Sequence, residues 1–173
     1  MRKVDMAAYN DRRRTVDRRA LQWYMALGTL PPAATHANLH ACAHLFASDR
    51  NSLFPVPAFV GVANNYSAMA SLSHAVVFHC EGADLAMVER DGAPRWFCQE
   101  FRVERVAHGR AFVTSRIWRE DGLHVASQNQ DGLVRMRPGN ENLLDDALAG
   151  GLRKKGLMTA KEIFGYPVKK EKL

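Results

Sequence analysis

Three short segments hold the side chains best suited to chemistry, each in a different stretch of the chain. Asp49 ends an apolar helical run in Ala47-Ser48-Asp49-Arg50-Asn51, Ser71 opens a strand-like run in Ala70-Ser71-Leu72-Ser73-His74, and Gln130 closes another in Ala126-Ser127-Gln128-Asn129-Gln130-Asp131-Gly132. An acid, a hydroxyl and an amide converging from separate elements can hold one water against one polarised carbonyl. That is the minimum for hydrolysing an activated acyl group without a metal. Ser73 and His74, next to the hydroxyl, are candidate supporting groups. An acid at a helix C-terminus opposes the helix dipole, so Asp49 stands where propensity alone would not put it.

Rival chemistries find less support. His36, His40 and His44 fall at four-residue steps on one helical face, a spacing that can chelate a metal, but no His-Glu-x-x-His pattern or third ligand accompanies them. A solvated or substrate-facing stripe is expected, with no metal. His74, His79, His108 and His124 read as hydrogen-bonded structural or surface residues. Ser71 or Ser73 as a nucleophile would need a Gly-x-Ser-x-Gly elbow between a strand and a helix, and the chain has none. Cys42, Cys80 and Cys98 are odd in number and share no metal-ligand spacing, so buried or half-buried free thiols are expected.

The elements that must position the trio follow from periodicity. Arg19 to Leu27 reads helical and stops at Gly28 and Pro31-Pro32. A second helix, capped by Thr35 or Asn38, runs to about Ala47 with Leu39, Cys42, Ala43 and Phe46 as its core-facing stripe. Pro55 and Pro57 mark a loop. Strands are expected over Ser71 to His79, Asp84 to Arg90, Trp96 to Val106, Gly109 to Arg119 and Leu123 to Met136, with hairpin signals at Asp91-Gly92 and Asp121-Gly122. One long helix followed by a run of strands joined by short turns implies an α+β domain, the helix packed on one curved antiparallel sheet.

The chain has 173 residues, 47% hydrophobic and 24% charged, which suits one ordinary domain with tails. Its formal charge of +6 gathers at the ends, in Arg12, Arg13, Arg14, Arg18 and Arg19 and again in Lys154, Lys155, Lys161, Lys169, Lys170 and Lys172. These clusters are mixed with acids and not interleaved with aromatics, so nucleic acid is not the expected partner, whereas a polyanion such as coenzyme A suits the charge. No apolar run approaches the roughly 18 residues of a membrane span, and no signal-type core follows the basic start, so a soluble cytoplasmic protein is expected.

The helix ending in Ser48-Asp49-Arg50-Asn51, the Ser71-Leu72-Ser73-His74 strand with Val77-Phe78-His79, the Gly109-Arg110 to Arg116-Ile117-Trp118 strand, and Val125-Ala126-Ser127 to Gln130-Asp131-Gly132 together resemble the C-terminal half of type II acyl-CoA thioesterases of the TesB type, over roughly residues 18 to 137. The resemblance implies a hotdog fold, an antiparallel sheet wrapped around a long central helix. It implies that Asp49 matches the family's catalytic aspartate, Ser71 its threonine or serine, and Gln130 its catalytic glutamine. The implied reaction is hydrolysis of an acyl-CoA or related acyl thioester in fatty-acid and lipid metabolism, needing no cofactor beyond the coenzyme A carried by the substrate. Hotdog dehydratases would be expected to place a His with an acid near the central helix, and the Gln-Asp-Gly segment favours hydrolysis instead.

Two departures from the family pattern stand out. Ser73 replaces an aspartate that usually follows the hydroxyl residue, and the chain has length for one hotdog where the family carries two in tandem. The expected division is an Arg-rich extension over 1–18, a single hotdog domain over 19–137 and a basic tail over 138–173. A lone hotdog leaves a strand edge unpaired, so a homodimer or pairing with another hotdog domain is expected. The runner-up function is a non-catalytic subunit or truncated paralogue that pairs with or regulates a complete thioesterase. The final Glu171-Lys172-Leu173 resembles a peroxisomal Ser-Lys-Leu address in its last two residues, making peroxisome the second expectation behind cytoplasm.

Overall fold

The structure is a computed structural model that describes residues 1–62 and 64–139. Its elements are β1 (Arg2–Lys3), α1 (Ala7–Asn10), a 3-10 turn (Thr15–Asp17), β2 (Ala20–Tyr24), α2 (Ala33–Asp49), α3 (Pro55–Val60), β3 (Tyr66–Phe78), β4 (Phe97–Ala107), β5 (Arg110–Arg119) and β6 (His124–Met136). The strands form one antiparallel sheet in the order β1-β2-β4-β5-β6-β3. α2 lies against one face of this sheet, the expected α+β arrangement. The last residues of the sequence, including Glu171-Lys172-Leu173 and almost all of the expected basic tail, lie outside the described residues.

Packing explains where periodicity misleads. Residues 20–24 form a strand and not a helix: Gln22 and Tyr24 are buried while Leu21 and Trp23 are less so, a period of two set by pairing with β4. Over so short a stretch Leu21, Trp23, Tyr24 and Leu27 fit either period. The expected loop at Pro55 is a helical turn, α3, begun by a proline whose missing N–H costs nothing at a first helical position. The expected strand over Asp84 to Arg90 is a series of turns with a single bridge, Val88 to Pro94. Four consecutive residues there, Leu85 to Val88, are buried, which a half-covered strand could not achieve.

α2 presents the opposite face to the one its apolar stripe suggests. His40, His44, Ala47 and Ser48 are buried, while Leu39, Cys42 and Phe46 are exposed, Phe46 to 68%. The polar face wins because it is fully partnered. His40 accepts from the Met87 N–H at Nδ1 (3.0 Å) and donates from Nε2 to the Pro31 carbonyl (2.9 Å). His44 donates from Nε2 to the Leu85 carbonyl (3.0 Å) and accepts the Tyr24 hydroxyl at Nδ1 (2.6 Å). These histidines therefore pin the 80–95 segment to the helix, neither solvated nor facing substrate. Burial pushes the His44 pKa down to about 4, keeping it neutral. Neither cap expected at the helix start forms, since the N-cap is Pro32.

Two apolar clusters share the helix side of the sheet. One gathers Leu53, Val56, Phe59 and Val62 against Phe101, Val103, Val113 and Val134; the other gathers Ala47, Leu85 and Met87 against Tyr24, Phe97, Ile117 and Ala126. Between them runs a row of buried polar side chains, Gln22, Gln99, Ser115, Gln128 and Gln130.

Candidate active site

The three candidate side chains meet where the end of α2 lies over the β3–β6 pair. α2 ends at Asp49, and the turn after it is held by the Ser52 hydroxyl donating to the Asp49 carbonyl (2.7 Å) and by Asn51 in the left-handed region, φ 67°. Ser71 stands at an irregularity in β3, where Ser71 pairs with Gly132 and Ser73 with Asp131, leaving Leu72 as an extra residue. Such a bulge turns neighbouring side chains away from strict alternation. Gln130 reaches from β6, opposite His74 of β3, and is wholly buried.

The Gln130 amide donates from Nε2 to Asp49 Oδ1 at 2.7 Å and also to Ser71 Oγ, and the Ser71 hydroxyl donates to the same Asp49 Oδ1 at 3.3 Å. Asp49 Oδ2 accepts no hydrogen bond from any described residue. One carboxylate oxygen is thus anchored by two donors, and the other has none among the described residues.

His74 supports the arrangement from the side. The single Ser48 hydroxyl proton goes to the Leu45 carbonyl (2.9 Å), so Ser48 Oγ accepts from His74 Nε2 (3.0 Å). That bond ties β3 to α2 three residues from Ser71. Ser73, in contrast, lines the site without a side-chain hydrogen bond to the trio. Gly132 lets β6 approach the turn after α2, because a Cβ there would lie 2.5 Å from Leu53 Cδ2.

Asp49, Ser71, Leu72, Ser73 and His74 line an open hollow of about 430 Å³ with Leu45 and Phe46. A larger groove of about 680 Å³ lies between the start of α2 and the 80–95 segment, but it holds no comparable set: Arg95 is paired with Glu89, and Arg119 with Asp84 and Asp121. Among the described residues no group of three or more His, Cys, Asp or Glu could hold a metal, and no helix is long and apolar enough to cross a membrane.

Sequence reasoning missed Gln99, Ser115 and Gln128, the buried polar residues behind Gln130. Gln128 lay within the quoted Gln-Asn-Gln run, and the alternation of Gln128 with Gln130 was the one available signal that both point inward.

A six-stranded antiparallel sheet with a long helix across one face defines the α+β hotdog class. The family model of the acyl-CoA thioesterase C-terminal domain matches residues 1–134, and the chain belongs to that family. Among solved structures it is similar to acyl-CoA thioesterase II TesB2 from Mycobacterium marinum, with a TM-score of 0.55 and 24% identity over 70% of this chain and 43% of that one. It is similar also to a putative thioesterase from Syntrophus aciditrophicus, with a TM-score of 0.52 and 13% identity over 67% of this chain and 76% of that one. The chain therefore spans less than half the length of the mycobacterial enzyme. No curated protein matches it by sequence.

Proposed function

We propose that this protein hydrolyses an acyl-CoA or related acyl thioester to the free acid and thiol, using a water positioned by Asp49, Ser71 and Gln130. The observation that carries the reading is the pair of donors on Asp49 Oδ1, which leaves Oδ2 on the rim of the hollow with no donor among the described residues. Water donates one proton to Oδ2 and attacks the thioester carbonyl carbon. The tetrahedral adduct expels the thiolate as the C–S bond breaks, and the thiolate takes up the proton held on Oδ2, restoring the Asp49 carboxylate. Neither a covalent acyl-enzyme nor a cofactor is needed.

The site is walled on one side only. β3 is an edge strand, and it and the nearby end of α2 carry the exposed apolar side chains Leu45, Phe46, Leu72 and Val77. An unpaired thirteen-residue edge beside exposed apolar side chains is a liability unless covered. A second hotdog unit, most simply another copy of this chain, closes the hollow into a tunnel for the acyl group. The net charge of +6 favours the phosphates of coenzyme A.

The test is release of free thiol from short, medium and long acyl-CoAs by the purified chain beside Asp49→Asn, with the mass in solution recorded. Turnover that vanishes in the variant supports the reading and gives the chain-length class. A folded, paired protein that turns over no member of the panel overturns it.

A further inference from the structure

The buried polar row behind Gln130 is a hydrogen-bond chain with one direction. Gln22 Nε2 donates to Gln99 Oε1 (3.1 Å), Gln99 Nε2 to Ser115 Oγ (2.9 Å), Ser115 Oγ to Gln128 Oε1 (2.6 Å), Gln128 Nε2 to Gln130 Oε1 (3.0 Å) and Gln130 Nε2 to Asp49 Oδ1. Every member from Gln22 to Gln130 is at most 3% exposed, so no solvent competes for these groups. The chain crosses β2, β4, β5 and β6 between the two apolar clusters, helped by register: Gln22 is opposite Gln99, and Ser115 is opposite Gln128.

We infer that Ser115, Gln128 and Gln99 are positioning residues that hold the Gln130 amide with its NH2, and not its carbonyl, toward Asp49 and Ser71; this rests on the hydrolytic reading above. A primary amide has two orientations nearly equal in shape and opposite in polarity. The chain removes the choice because acceptors fix it at two members, Gln99 and Gln130. Ser48 O can only accept, so it demands the Gln99 NH2 (3.2 Å). The Asp49 oxygen facing Gln130 is an acceptor, so it demands the Gln130 NH2. Both anchors sit on consecutive residues of α2, and the directions they impose agree. With Gln99 set, the Ser115 hydroxyl receives a donor and must give its own proton to Gln128 Oε1. With Gln128 set, its NH2 faces Gln130 Oε1 and holds the amide from behind.

Breaking the chain at Ser115 leaves Gln128 Oε1 without a donor. Gln128 can then rotate, presenting an acceptor to Gln130 Oε1, and Gln130 can turn its carbonyl toward the Asp49 carboxylate. An acceptor facing an acceptor repels, and the water loses its fixed support. The sheet should survive, because Ser115→Ala removes only one oxygen.

The experiment compares the full chain with Ser115→Ala, Ser115→Thr and Gln128→Glu, the last placing an acceptor where Gln128 has its NH2. Two readouts are taken: hydrogen exchange of the 15N-labelled Gln130 side-chain amide, and kcat and KM for an acyl-CoA the wild-type protein hydrolyses. Ser115→Ala is expected to speed exchange and lower kcat roughly ten- to a hundred-fold with KM unchanged. Ser115→Thr is expected to restore both, and Gln128→Glu to lower kcat further. Wild-type exchange and kcat in Ser115→Ala would overturn the proposal, and that variant decides if Gln128→Glu does not fold. A wild-type chain without turnover would sink the hydrolytic reading separately. The exchange measurement alone would then decide the amide's orientation, faster exchange supporting it and unchanged exchange overturning it.

Discussion

Gln130 and Asp49 are joined by a 2.7 Å hydrogen bond between a side chain with no exposure and one on an open rim. The buried partner holds the orientation, and the exposed partner keeps one oxygen without a donor among the described residues. A carboxylate at the C-terminal end of α2, unfavourable toward the helix dipole, is retained by two donors aimed at a single oxygen.

Asp49→Asn should lower thioester hydrolysis at least about a hundred-fold, since the amide keeps an oxygen for the Gln130 and Ser71 donors but loses the base. Removing a negative charge from a helix C-terminus should leave the melting temperature equal or higher. Thiol release and a thermal melt on the same preparation check both. A large drop in melting temperature would show that Asp49 is needed for the fold.

Stability should fall as pH drops from about 6.5 to about 4 because of His44. Its native pKa is lowered to about 4 by burial, so below pH 6.5 the unfolded chain binds a proton that the folded chain refuses. The stabilisation is complete above the unfolded pKa and is lost on acidification, roughly 3 kcal/mol over the window. His44→Gln can serve Tyr24 and Leu85 without titrating. Denaturant midpoints at pH 7, 5.5 and 4 should fall less in that variant, and equal slopes would refute the assignment.

Gly132→Ala should destabilise the fold by about 1–3 kcal/mol, because the new methyl would press on Leu53, which is itself packed among Val56, Phe59 and Val134. The contact is specific, so Leu53→Ala combined with Gly132→Ala should lose less than the sum of the two single changes. Urea midpoints of the four proteins give the coupling, and additive losses would exclude this contact as the cause.

Phe46→Glu and Val77→Lys should leave circular dichroism unchanged while shifting the mass in solution to a monomer and abolishing turnover. Both side chains are exposed, Phe46 on α2 to 68% and Val77 on the edge strand β3 to 58%. Light scattering decides it: an oligomer that persists in both variants would move the pairing surface elsewhere.

Much of the architecture was legible because it depends on local pattern. β4, β5 and β6 were read within a residue or two of their ends from alternating apolar residues and the Asp121-Gly122 turn, and α2 was read from its spacing. Misreadings fall where partners decide. β2 becomes a strand because β4 offers it an edge, and Leu85 to Val88 are buried because His40 and His44 receive their backbone. The exposed side of α2 shows the same thing: Leu39 and Phe46 look like a core stripe until the histidines on the other face find hydrogen-bond partners.

By itself the sequence determined the long helix, the strands β4 to β6, the candidate trio and the order in which its members occur, because propensity, turn chemistry and residue identity are local properties. Only the tertiary structure decided that Gln130 aims its amide at Asp49, that a bulge leaves Ser71 beside both, and that a line of buried amides stands behind them. Those facts concern residues up to 81 positions apart. They are set by strand register and by the need of every buried polar group for a partner, which no single segment can satisfy alone.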